Sequence, residues 1–243
     1  MTDLRFLEVN YETAPTDGQS LVYDAATGLW VPSQNILTGW KEVTETWTYA
    51  SANTVTVATD ATTRFKKKWR VRWKQGGAYK YGVIYNVTAT VISITGGTDY
   101  TVANSAITNV AVSREVCPEG FPGFFNWTPT ITGSGGMTIS ATSIQQARHR
   151  INIDFSCDID LSFTCTTGTS DSNALLASFP LGVTPAYTNQ VQGCTTYPGA
   201  GAYQAGFVFI DTAPRFSFYK YDASNLGLGT LRQAIWKGDF ETT

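Results

Sequence analysis

Hydrophobic and polar positions alternate with a period of two along much of this chain, the pattern of strands with one buried and one wet face. The clearest run is "INIDFSCDIDLSFTC". Ile151, Ile153, Phe155, Cys157, Ile159, Leu161, Phe163 and Cys165 share one face; Asn152, Asp154, Ser156, Asp158, Asp160, Ser162 and Thr164 share the other. The run is longer than an ordinary strand, so it should contain a bulge or bend. "KKWRVRWKQ" repeats the pattern, with Trp69, Val71 and Trp73 on one face and Lys68, Arg70, Arg72 and Lys74 on the other. Shorter alternations surround Trp47 and Tyr49, then Val55 and Val57, and continue through "YKYGVIYNVT" and "TVISITGG". Further strands are expected at Met137–Ala141, Ala174–Phe179, Tyr203–Ile210, Arg215–Tyr221 and Leu231–Phe240. Asp99–Asn109 is expected to hold a single helical turn.

These elements predict an all-β chain in four parts. Residues 1–37 carry a hairpin, with Leu21–Tyr23 and Leu29–Val31 as strands and Pro32 as the stop. Residues 38–113 should form a small β-barrel or sandwich. Residues 114–125 are a Pro- and Gly-containing linker that runs into Trp127. Residues 126–243 should form a jelly-roll-like antiparallel β-sandwich. No exact internal repeat joins the two β parts.

Composition supports strands over helices. Of 243 residues, 42% are hydrophobic, 13% aromatic and only 15% charged. A net charge of −2 offers no global field for nucleic acid or an anionic membrane. No apolar run approaches the ~18–20 residues of a spanning helix, so no membrane insertion is expected. "MTDLRFLEVNYET" has no basic n-region followed by an apolar core, and a product made without a classical export signal is expected.

Catalytic material is scarce. The single histidine, His149, lies between Arg148 and Arg150 and reads as an exposed or edge residue. Asp154, Asp158 and Asp160 share a wet face. Positions i and i+4 on one strand are ~13 Å apart, too far for paired glycosidase carboxylates, and the i, i+2 spacing is common to any acidic strand. The four cysteines, Cys117, Cys157, Cys165 and Cys194, form no C-x-x-C pair, and free thiols are expected. No enzyme activity, metal or cofactor is therefore expected.

Binding candidates remain. The stripe of Lys68, Arg70, Arg72 and Lys74 is either the solvated face of a strand or a contact for a polyanion or an acidic protein surface. Tyr187, Tyr197 and Tyr203 adjoin Gly- and Pro-rich loops, where exposed rings can stack on sugars. Leu21, Tyr23, Leu29 and Trp30 of the hairpin have little chain nearby to bury them. Phe124, Phe125 and Trp127 are too apolar for a solvated linker. Both groups are candidates for packing on a domain or on another chain.

"APTDGQSLVYDAATGLWVP" resembles a segment recurrent in tail fibres and related virion appendages of tailed bacteriophages. Its fixed positions are present here as Pro15, Asp17, Gly18, Gln19, Leu21, Val22, Tyr23, Gly28, Trp30 and Pro32. "NWTPTITGSGGMTISATSIQQARHRI" is similar to the entry of C-terminal β-domains of such appendages, through Trp127, Thr128, Pro129, Ala147, Arg148 and Arg150. The chain has no coiled-coil or β-helical shaft, so the resemblance implies a short fibre, spike or head-bound appendage. It further implies a homotrimer on the virion surface, assembled in the host cytoplasm. The N-terminal segment would be anchored to another virion protein of the capsid, portal or tail. The C-terminal domain would contact host polysaccharide. A capsid decoration or cement protein is the alternative.

Overall fold

The computed structural model describes residues 20–24, 28–33, 38–154, 156–167, 174–187, 190–197, 204–210, 215–220 and 231–242. All regular structure among them is β. The first element is a hairpin of β1 (Ser20–Asp24) and β2 (Leu29–Ser33). Its register sets Tyr23 opposite Trp30, and their rings meet edge to face at 5.8 Å. Gly28, just before β2, has φ 74°, a backbone that glycine adopts without a Cβ penalty. No strand of the other two sheets pairs with this hairpin.

The second sheet contains β3 (Lys41–Glu42), β4 (Thr48–Ser51), β5 (Thr54–Thr56), β6 (Arg70–Gln75), β7 (Ala78–Val87), β8 (Val91–Thr95) and β9 (Thr108–Ser113). Its order is β3-β9-β6-β7-β8-β5-β4, with every pair antiparallel. Alternation in β6 sends Val71 and Trp73 into a core with Trp47, Val55, Phe65, Ile84, Ile92 and Val110. The helical turn expected within 99–109 does not form. Val102 is buried and its amide donates to the Ala52 carbonyl at 2.9 Å, while β9 begins at Thr108. Pairing across the fold overrides local propensity there.

The third sheet contains β10 (Phe125–Asn126), β11 (Ile131–Gly133), β12 (Ile139–Ile151), β13 (Ser156–Thr167), β14 (Ala174–Ser178), β15 (Gln190–Tyr197), β16 (Gln204–Ile210), β17 (Arg215–Lys220) and β18 (Leu231–Glu241). Their order is β10-β12-β13-β18-β15-β16-β17-β14-β11. Leu161 and Phe163 of β13, Trp236 of β18 and Phe216 and Phe218 of β17 fill one core. The long alternating run is thus two strands rather than one bent strand. Ile151 closes β12 opposite Cys157 of β13. Asp154 Oδ1 accepts bonds from the Ser156 amide (3.1 Å) and hydroxyl (2.8 Å), and the Asn152 amide donates to the Ser156 carbonyl (2.8 Å). These local bonds hold a turn, so Ile153 is exposed instead of joining the buried face. Its pattern of alternation survives because the turn keeps the phase. Strand β15, rich in Gln and Thr and carrying Gly193, has no such pattern to announce it.

Neither ladder closes into a barrel. In both sheets, one continuous piece of chain supplies the two edges. Residues 41–51 pair with β9 through β3 and with β5 through β4, and Trp47 between them is buried. Residues 125–133 pair with β12 through β10 and with β14 through β11, and Trp127 between them is buried. The Trp127 amide donates to the Ala147 carbonyl on one side (3.0 Å), and the Ser178 amide donates to the Thr130 carbonyl on the other (3.1 Å). Pro129, which has no amide donor, falls where the segment crosses between the edges. The result is an all-β protein of the β-sandwich class.

The two large sheets pack through rings. Trp40, Tyr81, Tyr100, Phe121 and Phe125 form a chain of tilted and edge-to-face contacts at 5.5–6.2 Å. Val83 of β7 belongs to the core of the nine-stranded sheet. Asp99 receives both the amide of Asn126 (2.8 Å) and its side-chain amide (3.0 Å). At Gly182, with φ 78°, a Cβ would lie 2.6 Å from the Tyr85 ring, so the two sheets meet there without room for a methyl.

Candidate functional site

Strand β6 carries the expected basic stripe, but the structure does not leave it solvated. Arg70 is 1% exposed and Lys68 is 7% exposed. Lys68 has φ 70°, so it does not continue the alternation of β6. Its ammonium donates to the Thr242 hydroxyl, beyond the end of β18. Arg70 donates to the carbonyls of Val116 (3.2 Å) and Lys68 (3.1 Å) and lies 5.2 Å over the Phe121 ring. Burial lowers its pKa to about 10. Arg72 lies 5.0 Å from Trp40 and 5.1 Å from Tyr79 and pairs with Glu42 at 3.2 Å. Lys74 lies 5.9 Å from the same Tyr79 ring. Lys68 and Arg70 are therefore internal contacts, held by Thr242 at one end of the chain and by Val116 and Phe121 of the linker, while Arg72 and Lys74 remain half-buried beside Trp40, Glu42 and Tyr79.

His149 is also corrected. It is fully buried, not an edge residue, and sits beside Phe125 (6.0 Å) and Trp127 (5.8 Å). Among the described residues neither ring nitrogen forms a hydrogen bond of good geometry, although the Phe125 backbone lies close enough to act on the ring. Burial lowers its pKa to about 4, with the Phe125 backbone and Asp99 opposing. A neutral imidazole among aromatic rings, with no hydroxyl or thiol bonded to it, has no proton-relay geometry.

Arg148 and Arg150 point the other way, onto the outer face of β12. Register sets Arg148 opposite Asp160 and Arg150 opposite Asp158. Arg148 binds Asp160 at 2.8 and 3.0 Å, and Arg150 reaches Asp158 through Nε at 2.8 Å. Lys237 of β18 adds a third member at 3.5 Å from Asp160. Phe124 lies beneath both guanidiniums, at 4.9 and 5.0 Å. Together they line a shallow groove of about 400 Å³. Asp158 and Asp160 are therefore occupied by arginines. Asp154, in the turn, has its pKa lowered mainly by bonds from Ser156.

Of the linker aromatics, Phe125 and Trp127 are buried within their own chain, which removes them as contacts for another one. Phe124 is half-buried. Tyr187 is 63% exposed. Tyr197 ends β15, and its side chain lies outside the described residues, as does Tyr203. A second groove, of about 700 Å³, runs beside β3. It holds Glu45 paired with Arg64 (2.7 Å) and Trp69 under Arg114 (4.6 Å). Sequence reasoning missed this groove because its residues are scattered over three segments. None of the four cysteines forms a disulfide; Cys157 and Cys165 are buried, Cys194 is half-buried and Cys117 is exposed. Burial raises the Cys157 thiol pKa strongly and the Cys194 thiol pKa to about 12, which leaves both inert as nucleophiles. No group of three His, Cys, Asp or Glu with metal-holding geometry occurs among the described residues.

The hairpin is the remaining candidate. Tyr23 is 46% exposed, and Leu29, Trp30 and Val31 are half-buried. The side chain of Leu21 lies outside the described residues. Compared with protein-family models, curated proteins and solved structures, the chain matches none.

Proposed function

We propose that this chain is a structural protein of a tailed-bacteriophage particle: a short, homotrimeric, fibre-like appendage that is not an enzyme. Its N-terminal hairpin anchors it to another virion protein, and its two large sheets project toward host-surface glycans. The segment Pro15–Pro32 carries this reading, through its match to the appendage pattern. The geometry of its middle supports an anchoring role. Two five-residue strands bring Tyr23 and Trp30 together, Gly28 supplies the left-handed residue, and no third strand among the described residues completes the sheet. A lone hairpin is marginal in water, so its apolar side needs a partner. The second matched segment is also one physical unit. Trp127 bonds to Ala147, Asn126 pairs with Arg148, and Phe124 lies under Arg148 and Arg150.

Virion mass spectrometry and light scattering test the proposal. The protein should be a particle component and a trimer in solution. Trp30→Ala should leave the thermal transition of the large sheets within a few degrees of wild type but reduce incorporation into particles. Normal incorporation of that variant, or absence of the protein from particles, rejects the anchor reading. Particles that lack the protein should adsorb poorly yet keep heat-stable heads. The opposite result assigns it to capsid decoration.

A further inference from the structure

Strand β12 has one side only partly used. β13 pairs with it along its length, but β10 covers it only at Arg148 and His149, with the Trp127 amide bonded to Ala147. From Ile139 to Gln146, no strand pairs with the other side among the described residues. Ser140, Ala141, Thr142, Ser143 and Gln145 are exposed. The stretch "ISATSIQQ" contains no charge, no proline and no glycine. Sheet proteins normally protect such an edge with lysine, proline or a covering loop; among the described residues this edge has register irregularities at Ile139/Ala141 and Ile144/Gln146 instead.

The β1–β2 hairpin is a two-stranded sheet with no further strand paired to either edge among the described residues, and uncharged residues occupy Leu21–Tyr23 and Leu29–Val31. Two strands rarely suffice for stability, whereas a third does. Its five-residue strands fit within the open stretch of β12. The β2 strand carries Pro32, which cannot donate to a ladder, so β1 is the strand suited to joining.

We infer that the open edge of β12, Ile139–Gln146, is a strand-addition site for the hairpin of a second copy of this chain, joined through β1. Main-chain bonds supply the attraction, and Leu21–Tyr23 and Ile139–Gln146 carry no charges to repel one another. The contact is heterologous, because a hairpin meets an edge, and such contacts close into a ring when the rotation permits. This inference rests on the trimeric reading above and names its interface.

Hydrogen exchange and light scattering on the full chain test it. In the wild-type oligomer, the amides of 139–146 should exchange slowly. Ala141→Lys with Ser143→Lys should weaken association by at least about tenfold, close to 1.4 kcal/mol, and speed that exchange. Val22→Pro in β1 should do the same from the other side. In a Cys117→Ser background, Val22→Cys with Thr142→Cys should yield disulfide-linked oligomers on a denaturing gel. A wild-type monomer at all attainable concentrations overturns the inference, as does fast exchange of 139–146 in the oligomer. Slow exchange that survives Val22→Pro overturns it too, because β12 would then pair with something other than the hairpin. Cross-linked monomers only would place the hairpin on its own chain. Presence in virions is measured separately, so failure of the edge contact leaves the virion reading standing, and the reverse.

Discussion

Arg70-Val71-Arg72 in β6 and Arg148-His149-Arg150 in β12 have the same pattern, cation–x–cation on a strand, and opposite surroundings. In β12 the central residue faces the core and both arginines face out, where β13 meets them with Asp160 and Asp158. In β6 the central Val71 also faces the core, yet Arg70 on the opposite face is buried as well. Phe121 and the Val116 carbonyl cover it, and no carboxylate among the described residues pairs with it. A charged face is wet only if nothing packs on it. At Arg70 the seven-stranded sheet is covered on its second face, whereas β12 keeps a charged outer side at Arg148 and Arg150, and the strands themselves carry no sign of the difference.

The seam segments give the largest effect with which to break this comparison. Trp127→Ala should destabilise the protein by about 3–5 kcal/mol, because it removes a buried aromatic and the contact that spans the edges of the nine-stranded sheet. Urea unfolding measures it. A loss under about 1 kcal/mol would mean that Trp127 does not hold the two edges together.

His149 sharpens the contrast within β12 itself. Its folded pKa of about 4 lies below the unfolded value near 6.5. Below pH 6.5 the unfolded chain takes up a proton that the folded chain resists, so stability falls as pH drops and this contribution is lost by pH 4. The loss amounts to roughly 3 kcal/mol. Other groups titrate at acid pH as well, so the comparison is with His149→Phe. Wild type should lose stability between pH 6.5 and 4 faster than that variant. Parallel curves would mean that His149 is not held neutral.

Next comes the pair of arginines. Arg70→Ala should cost about 2–3 kcal/mol, since the Val116 and Lys68 carbonyls lose their donor and Phe121 loses its stack. Arg70→Met should recover part of the loss, because a well-packed apolar side chain replaces a buried charge that has no carboxylate beside it. Arg148→Ala should cost at most about 1 kcal/mol, because the pair is 40% exposed on the arginine side and Asp160 keeps Lys237. Equal costs at Arg70 and Arg148 would erase the distinction between a covered and an open face.

Alternation, turn residues and the β-branched, aromatic-rich composition determined the all-β class and placed most strands within a few residues. Strand phase follows from side-chain period alone, which is why Leu161, Phe163, Val71 and Trp73 were legible as core. A turn held by Asp154 and Asn152 was invisible as such, because it preserves that phase while reversing the chain. Only tertiary structure decided which strands would meet at an edge, that Trp47 and Trp127 would each sit where one segment closes a sheet, and that Arg70 would be inside. Those outcomes depend on what lies across the second face, which residues far away in sequence supply. The hairpin shows the local half of that division: its strand register and its Gly28 turn are written within a dozen residues.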